Sequence, residues 1–133
     1  VHIKDGSLHN TPSTFAIYVC MLTMQWLKGK GGIAGIEQYN IDKAKKLYDE
    51  IDRNTLLKGV AETEDRSNMN VTWVMKDSNM EEAFGKMAKE AGCVGIGGHR
   101  SVGGFRASIY NAMPMEGIDT LISVMQEFER KNS

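Results

Sequence analysis

Cysteine and proline are scarce in this chain, with two of each among 133 residues. Cys20 and Cys93 lie far apart and form no Cys-x-x-Cys pair, which argues against a zinc site and against a disulfide framework. Reduced thiols and a cytoplasmic setting are expected. An excess of basic charge is also missing. Sixteen Lys and Arg stand against 17 Asp and Glu, for a net charge of -1, whereas a nucleic-acid binder ordinarily carries a basic surplus. No nucleic-acid partner is expected, and any anion site must be local. The longest apolar stretch, Phe15 to Leu27, is interrupted by Thr23 and Gln25 and is shorter than the ~20 residues of a spanning helix. Neither a membrane partner nor a secretory leader is expected. His2 and His9 lack metal-ligand spacing to any partner, so no metal is expected.

Glycine, by contrast, is clustered: six of the 14 fall between Gly92 and Gly104. Such clustering marks backbone that turns sharply or approaches something closely.

Residues 1–10 are polar and turn-rich and read as a loop. Thr11-Pro12 reads as an N-cap followed by Pro at the first helical position. Phe15, Tyr18, Val19, Leu22 and Trp26 then recur at helical spacing. This helix is apolar on nearly all sides, which predicts a deeply buried or an interface helix, ended by Gly29, Gly31 and Gly32. A second helix is predicted from about Ile33 to Ile51. Ala44, Leu47, Tyr48 and Ile51 form its core stripe, and Lys43, Lys45, Lys46 and Asp49 its solvated face. Residues 61–69 read as a polar connection. Val71, Trp73 and Met75 alternate with Thr72 and Val74 as a strand does. Ser78 and Glu81 have capping-box spacing before a helix that stops at Gly92. Cys93 to Ile96 reads as a short strand, Phe105 to Tyr110 as another, and Pro114 as the start of a last helix with Ile118, Leu121, Ile122, Met125 and Phe128 inward. The expected fold class is α/β, an α+β-like layered domain with a small sheet covered by helices.

The segment Gly97-Gly98-His99-Arg100-Ser101-Val102-Gly103-Gly104-Phe105-Arg106 carries the chemistry. Its two arginines and one histidine fall within eight residues of a loop containing four glycines. A guanidinium matches a carboxylate or phosphate with two parallel hydrogen bonds, and glycine lets main-chain N–H groups approach the same anion. The strand expected after Gly104 would hold Arg106 in one direction, unlike the loop residue Arg100. Two separately held arginines imply a ligand with two anionic groups, such as a phosphorylated amino or keto acid. Composition alone is equally compatible with a glycine-rich turn bearing two surface arginines. The spacing is not G-x-G-x-x-G, and no Lys-Ser/Thr ending of a P-loop follows. A second candidate is His9-Asn10-Thr11-Pro12, because a helix N-terminus with short polar side chains can hold a phosphate. Plain capping by Thr11 is the simpler account of it.

The run His99-Arg100-Ser101-Val102-Gly103-Gly104-Phe105-Arg106-Ala107-Ser108-Ile109-Tyr110-Asn111-Ala112-Met113 resembles the signature near the C-terminus of phosphoserine aminotransferases. Asn10-Thr11-Pro12 with Thr14-Phe15-Ala16-Ile17-Tyr18, and Asp65-Arg66-Ser67-Asn68-Met69-Asn70-Val71, resemble two further blocks of that family, in order along the chain.

The resemblance implies the C-terminal domain of a fold-type I, pyridoxal-phosphate-dependent homodimeric transferase. Residues 1–31 would be the end of the large domain and the interdomain helix, and residues 32–133 the small domain. The implied reaction moves an amino group from glutamate to 3-phosphohydroxypyruvate, giving phosphoserine and 2-oxoglutarate in serine biosynthesis. Many bacterial members also serve vitamin B6 synthesis. By matched position, Arg106 would bind the substrate α-carboxylate. His99 and Arg100 would face the substrate phosphate or the side-chain carboxylate of glutamate. Asn10 and Thr11 would contact the cofactor phosphate across the dimer. The family's cofactor-linked lysine sits in a Ser-x-Gln-Lys-Asn context upstream of Asn-Thr-Pro. No lysine here has that context: Lys4 alone precedes Asn10, beside Ile3, Asp5 and Gly6. No catalytic residue is therefore expected among these residues, and by themselves they are expected to be inactive. The alternatives are a non-catalytic anion-binding module and a partner that dimerises through the first helix.

Overall fold

A computed structural model of the chain describes residues 1–99 and 102–133. The chain divides into two compact units, residues 1–36 and residues 37–133. In the first unit, exposed turns lead into α1, Thr14–Gly29. Ile17 N donates to the Ser13 carbonyl at 3.1 Å, so Ser13 rather than Thr11 is the N-cap, and Pro12 precedes the helix. Ser13 is as suitable a cap type as Thr11, and its carbonyl is the one that opens the helical ladder. No α1 residue is buried, and Phe15 is 79% exposed. Of the two settings expected for this helix, deep burial does not hold, because the buried core begins only at Asn40.

Gly31 and Gly32, at φ 87° and 68°, break the chain before α2, Gly32–Arg53. Ala44, Leu47, Tyr48 and Ile51 are buried as the spacing predicts. Lys43 is the exception: its type and spacing predict the solvated face, yet it is fully buried. It lies one turn before Leu47 on the same stripe, and its stem packs inward while its ammonium finds backbone carbonyls. The neighbouring charges do stay outside, with Lys45 paired to Asp49 at 2.5 Å and Lys46 paired to Asp119.

The sheet is antiparallel, in the order β1-β2-β3: Leu57–Gly59, Asn70–Met75 and Phe105–Ser108. β1 has three residues, too few to show alternation, and exists because it pairs Leu57 with Met75 and Gly59 with Trp73. Alternation is clear in β2 and β3, where Val71, Trp73, Met75, Phe105 and Ala107 are buried and their neighbours are not. This buried face meets α2, α3 (Glu81–Glu90) and α4 (Met115–Asn132) in one apolar cluster, giving an α/β fold with a small sheet against helices. Trp73 stacks on Phe105 at 5.6 Å between centroids, and Phe84 meets Phe105 edge-on at 4.9 Å and Phe128 at 5.4 Å. Such aromatic pairs add to burial through their quadrupoles.

Two local expectations are corrected. Cys93 to Ile96 is turn rather than strand; Gly97 makes an isolated bridge to Phe105 of β3. Gly95 at φ 76° interrupts the extended backbone a strand would need. Ser78 does not form the capping box either. It belongs to a short 3₁₀ turn, Ser78–Met80, whose cap is Asp77, accepting from Asn79 N at 3.0 Å. The carboxylate of Asp77, one residue earlier, caps the turn through a different amide, that of Asn79.

Candidate functional site

Arg106 is placed by the period-two rule. Phe105 and Ala107 point into the core, so Arg106 and Ser108 face outward, and both are exposed. In the ladder Arg106 stands directly across from Thr72. On its other side Arg106 N donates to the Ile96 carbonyl at 2.7 Å, which ties β3 to the preceding turn.

The glycine loop closes on itself. Gly98 N donates to Gly104 O at 2.8 Å, while Val102 N and Gly103 N donate to His99 O at 2.9 and 2.8 Å. A Cβ on Gly98 would lie 2.0 Å from Gly103 O, and one on Gly104, at φ +64°, 2.7 Å from Trp73 O. These glycines are needed so that the loop can return against its own backbone and against β2. The amides of Gly98, Val102 and Gly103 are thus engaged within the chain, so the approach of those main-chain donors to an anion does not hold. The segment's other attraction for an anion is side-chain charge.

That charge gathers beside a recess of about 210 Å³, whose lining includes Val60, Thr72, Gly98, His99, Val102 and Arg106. His99 and Arg106, seven positions apart, therefore border one space. Arg100 lies outside the described residues. Thr72 is a lining residue that sequence reasoning did not single out. Its alternation with Val71 and Trp73 showed that it faces away from the core, but its position opposite Arg106 depends on strand register, which no local pattern reveals.

A second recess, of about 380 Å³, lies on the other flank of Arg106, between the turn at residues 91–96 and α4. Arg106 is the one charged residue among its described lining, which is otherwise largely apolar. Cys93 also borders it, and burial pushes that thiol above the usual cysteine range, so it stays protonated and a poor nucleophile. The smaller recess is the one that brings His99 and Arg106 together.

Asn10 and Thr11 belong to the first unit, in the exposed segment just before α1. The N-cap Ser13 makes no side-chain cap bond. A helix start that its own cap leaves unsatisfied, preceded by short polar side chains, fits the phosphate end of a cofactor. Among the described residues no group of three or more His, Cys, Asp or Glu is suited to hold a metal ion.

Residues 5–121 match the aminotransferase class-V family. This chain belongs to that family. Among similar class-V aminotransferases, the phosphoserine aminotransferase of Flavobacterium psychrophilum is 56% identical over 130 residues, covering 98% of this chain and 36% of that protein. The solved phosphoserine aminotransferase of Bacillus circulans subsp. alkalophilus superposes with a TM-score of 0.91 at 40% identity, over 99% of this chain and 37% of that one. The PLP-bound phosphoserine aminotransferase of Trichomonas vaginalis has a TM-score of 0.83 at 38% identity, over 94% of this chain and 36% of that one. The class-V chain described here thus spans little more than a third of the length of the relatives it matches.

Proposed function

We propose that these residues form the substrate-anion part of a phosphoserine aminotransferase. The whole enzyme would pass an amino group from glutamate to 3-phosphohydroxypyruvate, yielding phosphoserine and 2-oxoglutarate for serine biosynthesis, with a related use in vitamin B6 synthesis. The observation that carries this reading is the single recess bordered by both His99 and Arg106, in a chain 56% identical to a named phosphoserine aminotransferase. Arg106, directed by its strand, takes the α-carboxylate. His99 and Arg100 face the phosphate, or the side-chain carboxylate when glutamate is bound. Anion-binding groups at two separate points would select a ligand with two anions and set its direction.

Asn10 and Thr11 would hold the phosphate of pyridoxal phosphate on a partner subunit, in a cytoplasmic homodimer. When bound, that cofactor supplies the electron sink for amino transfer. Residues 1–31 belong to the large domain in this reading, and residues 32–133 are the small domain. Among the described residues, no helix is long and apolar enough to cross a membrane. The exposed apolar side chains of α1 favour contact with further protein, as a homodimer would supply.

The test is a titration of the chain with phosphoserine, followed by the amide resonances of residues 97–106. Hydrogen bonds to charged groups are worth about 1.5–3 kcal/mol, so Arg106→Ala is expected to weaken binding at least about tenfold. Binding that Arg106→Ala leaves unchanged would remove Arg106 from the site. Serine, which lacks the phosphate, is expected to bind more weakly than phosphoserine. Amino transfer itself is expected only from a polypeptide that also carries the cofactor-linked lysine.

A further inference from the structure

Lys43 is a fully buried cation whose partners, among the described residues, are carbonyls rather than a carboxylate. Its Nζ donates to Ile109 O at 3.0 Å, Tyr110 O at 2.8 Å and Met113 O at 3.1 Å, which uses all three ammonium protons. The ammonium also lies 4.7 Å from the centre of the Tyr39 ring. Burial pushes its pKa below the usual lysine range. Space-filling alone does not call for this group, since a methionine would fill similar volume without the cost of desolvating a charge. What the ammonium adds is a three-point hold on one segment of backbone.

That segment, residues 109–113, is the turn that follows β3. β3 has four residues and is an edge strand paired to β2 along one side. Beyond Ser108 the chain is held by further ties. Ile109 N donates to Met69 O at 2.9 Å, and Met113 N donates to Tyr110 O at 2.9 Å. From α2, Asn40 Nδ2 donates to Asn111 Oδ1 at 2.7 Å. Tyr39, Asn40 and Lys43 therefore clasp the turn from one face of α2. Arg106 lies three residues before Ile109, so the clasp fixes one end of the strand that carries it. The bond from Arg106 N to Ile96 O helps to fix the other.

We propose that Lys43 is a positioning residue for Arg106, acting through its hold on the backbone of residues 109–113. This rests on the reading of Arg106 as the carboxylate ligand. A short edge strand can shift or twist along its single ladder, and a displaced guanidinium loses the paired geometry that a carboxylate requires.

The experiment titrates the ¹⁵N-labelled chain with phosphoserine, comparing wild type, Lys43→Met, Arg106→Ala and the double variant below each one's melting transition. Lys43→Met is expected to weaken binding about tenfold and to shift the Arg106 Nε–H resonance of the ligand-free chain. In the double variant it should add little to the loss from Arg106→Ala, because both changes act on one contact. A merely structural lysine would lower the melting temperature and leave both affinity and the Arg106 resonance unmoved, which would overturn the proposal. If Lys43→Met does not fold, Asn111→Ala loosens the same turn from an exposed position. It is expected to weaken binding in the same direction by a smaller factor, and unchanged affinity would count equally against the proposal. If Arg106→Ala itself leaves binding intact, the site reading fails and the positioning role with it. Weakening by Arg106→Ala with none by Lys43→Met or Asn111→Ala overturns the positioning role alone.

Discussion

Gly104 shows how one position shapes the site. Its φ of +64° is a left-handed conformation, and a Cβ there would sit 2.7 Å from Trp73 O and 2.8 Å from Val74 Cγ1. Gly104→Ala thus meets strain and collision together, and the colliding atom is β2 backbone that cannot move aside without disturbing the ladder. The expected cost exceeds ~1 kcal/mol, measured as a lower denaturation midpoint. Gly97→Ala is the control, since a Cβ there meets nothing within 4 Å. Its stability should stay within about 0.5 kcal/mol of wild type. Equal losses at the two positions would contradict the close approach of the loop to β2. The histidine and arginines of this loop were legible from composition, because cationic side chains among glycines are a chemical pattern. The role of the glycines was only half legible. Their clustering marked a sharp turn, but only the bonds of Gly98, Val102 and Gly103 show their amides turned inward.

At the scale of elements, the tie between α2 and α4 is acidic and pH-sensitive. Burial favours the neutral form of Glu50, but hydrogen bonds from Arg53 at 2.7 Å, Gln126 at 2.9 Å and Asn54 at 3.1 Å outweigh it and hold its pKa below the usual range. Glu129 of α4 accepts from Thr55 N at 2.6 Å, Thr55 Oγ1 at 2.8 Å and Arg53 at 2.6 Å, and is pushed down to about 2. The folded pKa is the depressed one. The stabilisation is therefore complete above the unfolded value of ~4.3 and is lost as pH falls toward about 2. The melting temperature should be nearly flat above pH 5 and decline through this window. Glu129→Gln should lower it at neutral pH and make the decline shallower. A variant whose acid decline matches wild type would show that the Glu129 contacts do not hold the helices together. Glu127, also pushed down to about 2 by Arg130 and Lys131, titrates in the same window but lies within α4, so only the difference between the two proteins is diagnostic. The helices were legible because their apolar spacing runs over several turns. β1 and the turn at 93–96 were not: three or four residues carry too little periodicity, and their state depends on what they pair with.

For the whole molecule, burial is unequally divided. Every buried hydrophobic residue lies between Ala44 and Phe128, and no residue of the first 36 is buried. Residues 32–133, which keep α2 intact, should melt within a few degrees of the full chain, since the removed part contributes little to the core. The full chain should also self-associate more readily, because Phe15, Ile17, Tyr18 and Met24 of α1 are each more than half exposed. Sedimentation of the two chains at equal concentration measures this. Identical association, or a large fall in melting temperature on truncation, would show that α1 finds partners within the chain.

The sequence by itself determined the α/β class, the helices and their buried stripes, the outward direction of Arg106, and the clustering of His99, Arg100 and Arg106 in one glycine-rich segment. Each of these follows from short-range periodicity or from side-chain chemistry. Only the tertiary structure decided that Thr72 stands across from Arg106, that His99 and Arg106 border one recess, and that Lys43 leaves the solvated face of α2 to hold the turn after β3. The first and last of these depend on contacts between residues 34 to 70 positions apart, and the energies that select all three arise only when the sheet and helices pack together. Lys43 makes the point most directly. Its type predicts exposure, and only the three carbonyls presented by a distant turn make its burial favourable.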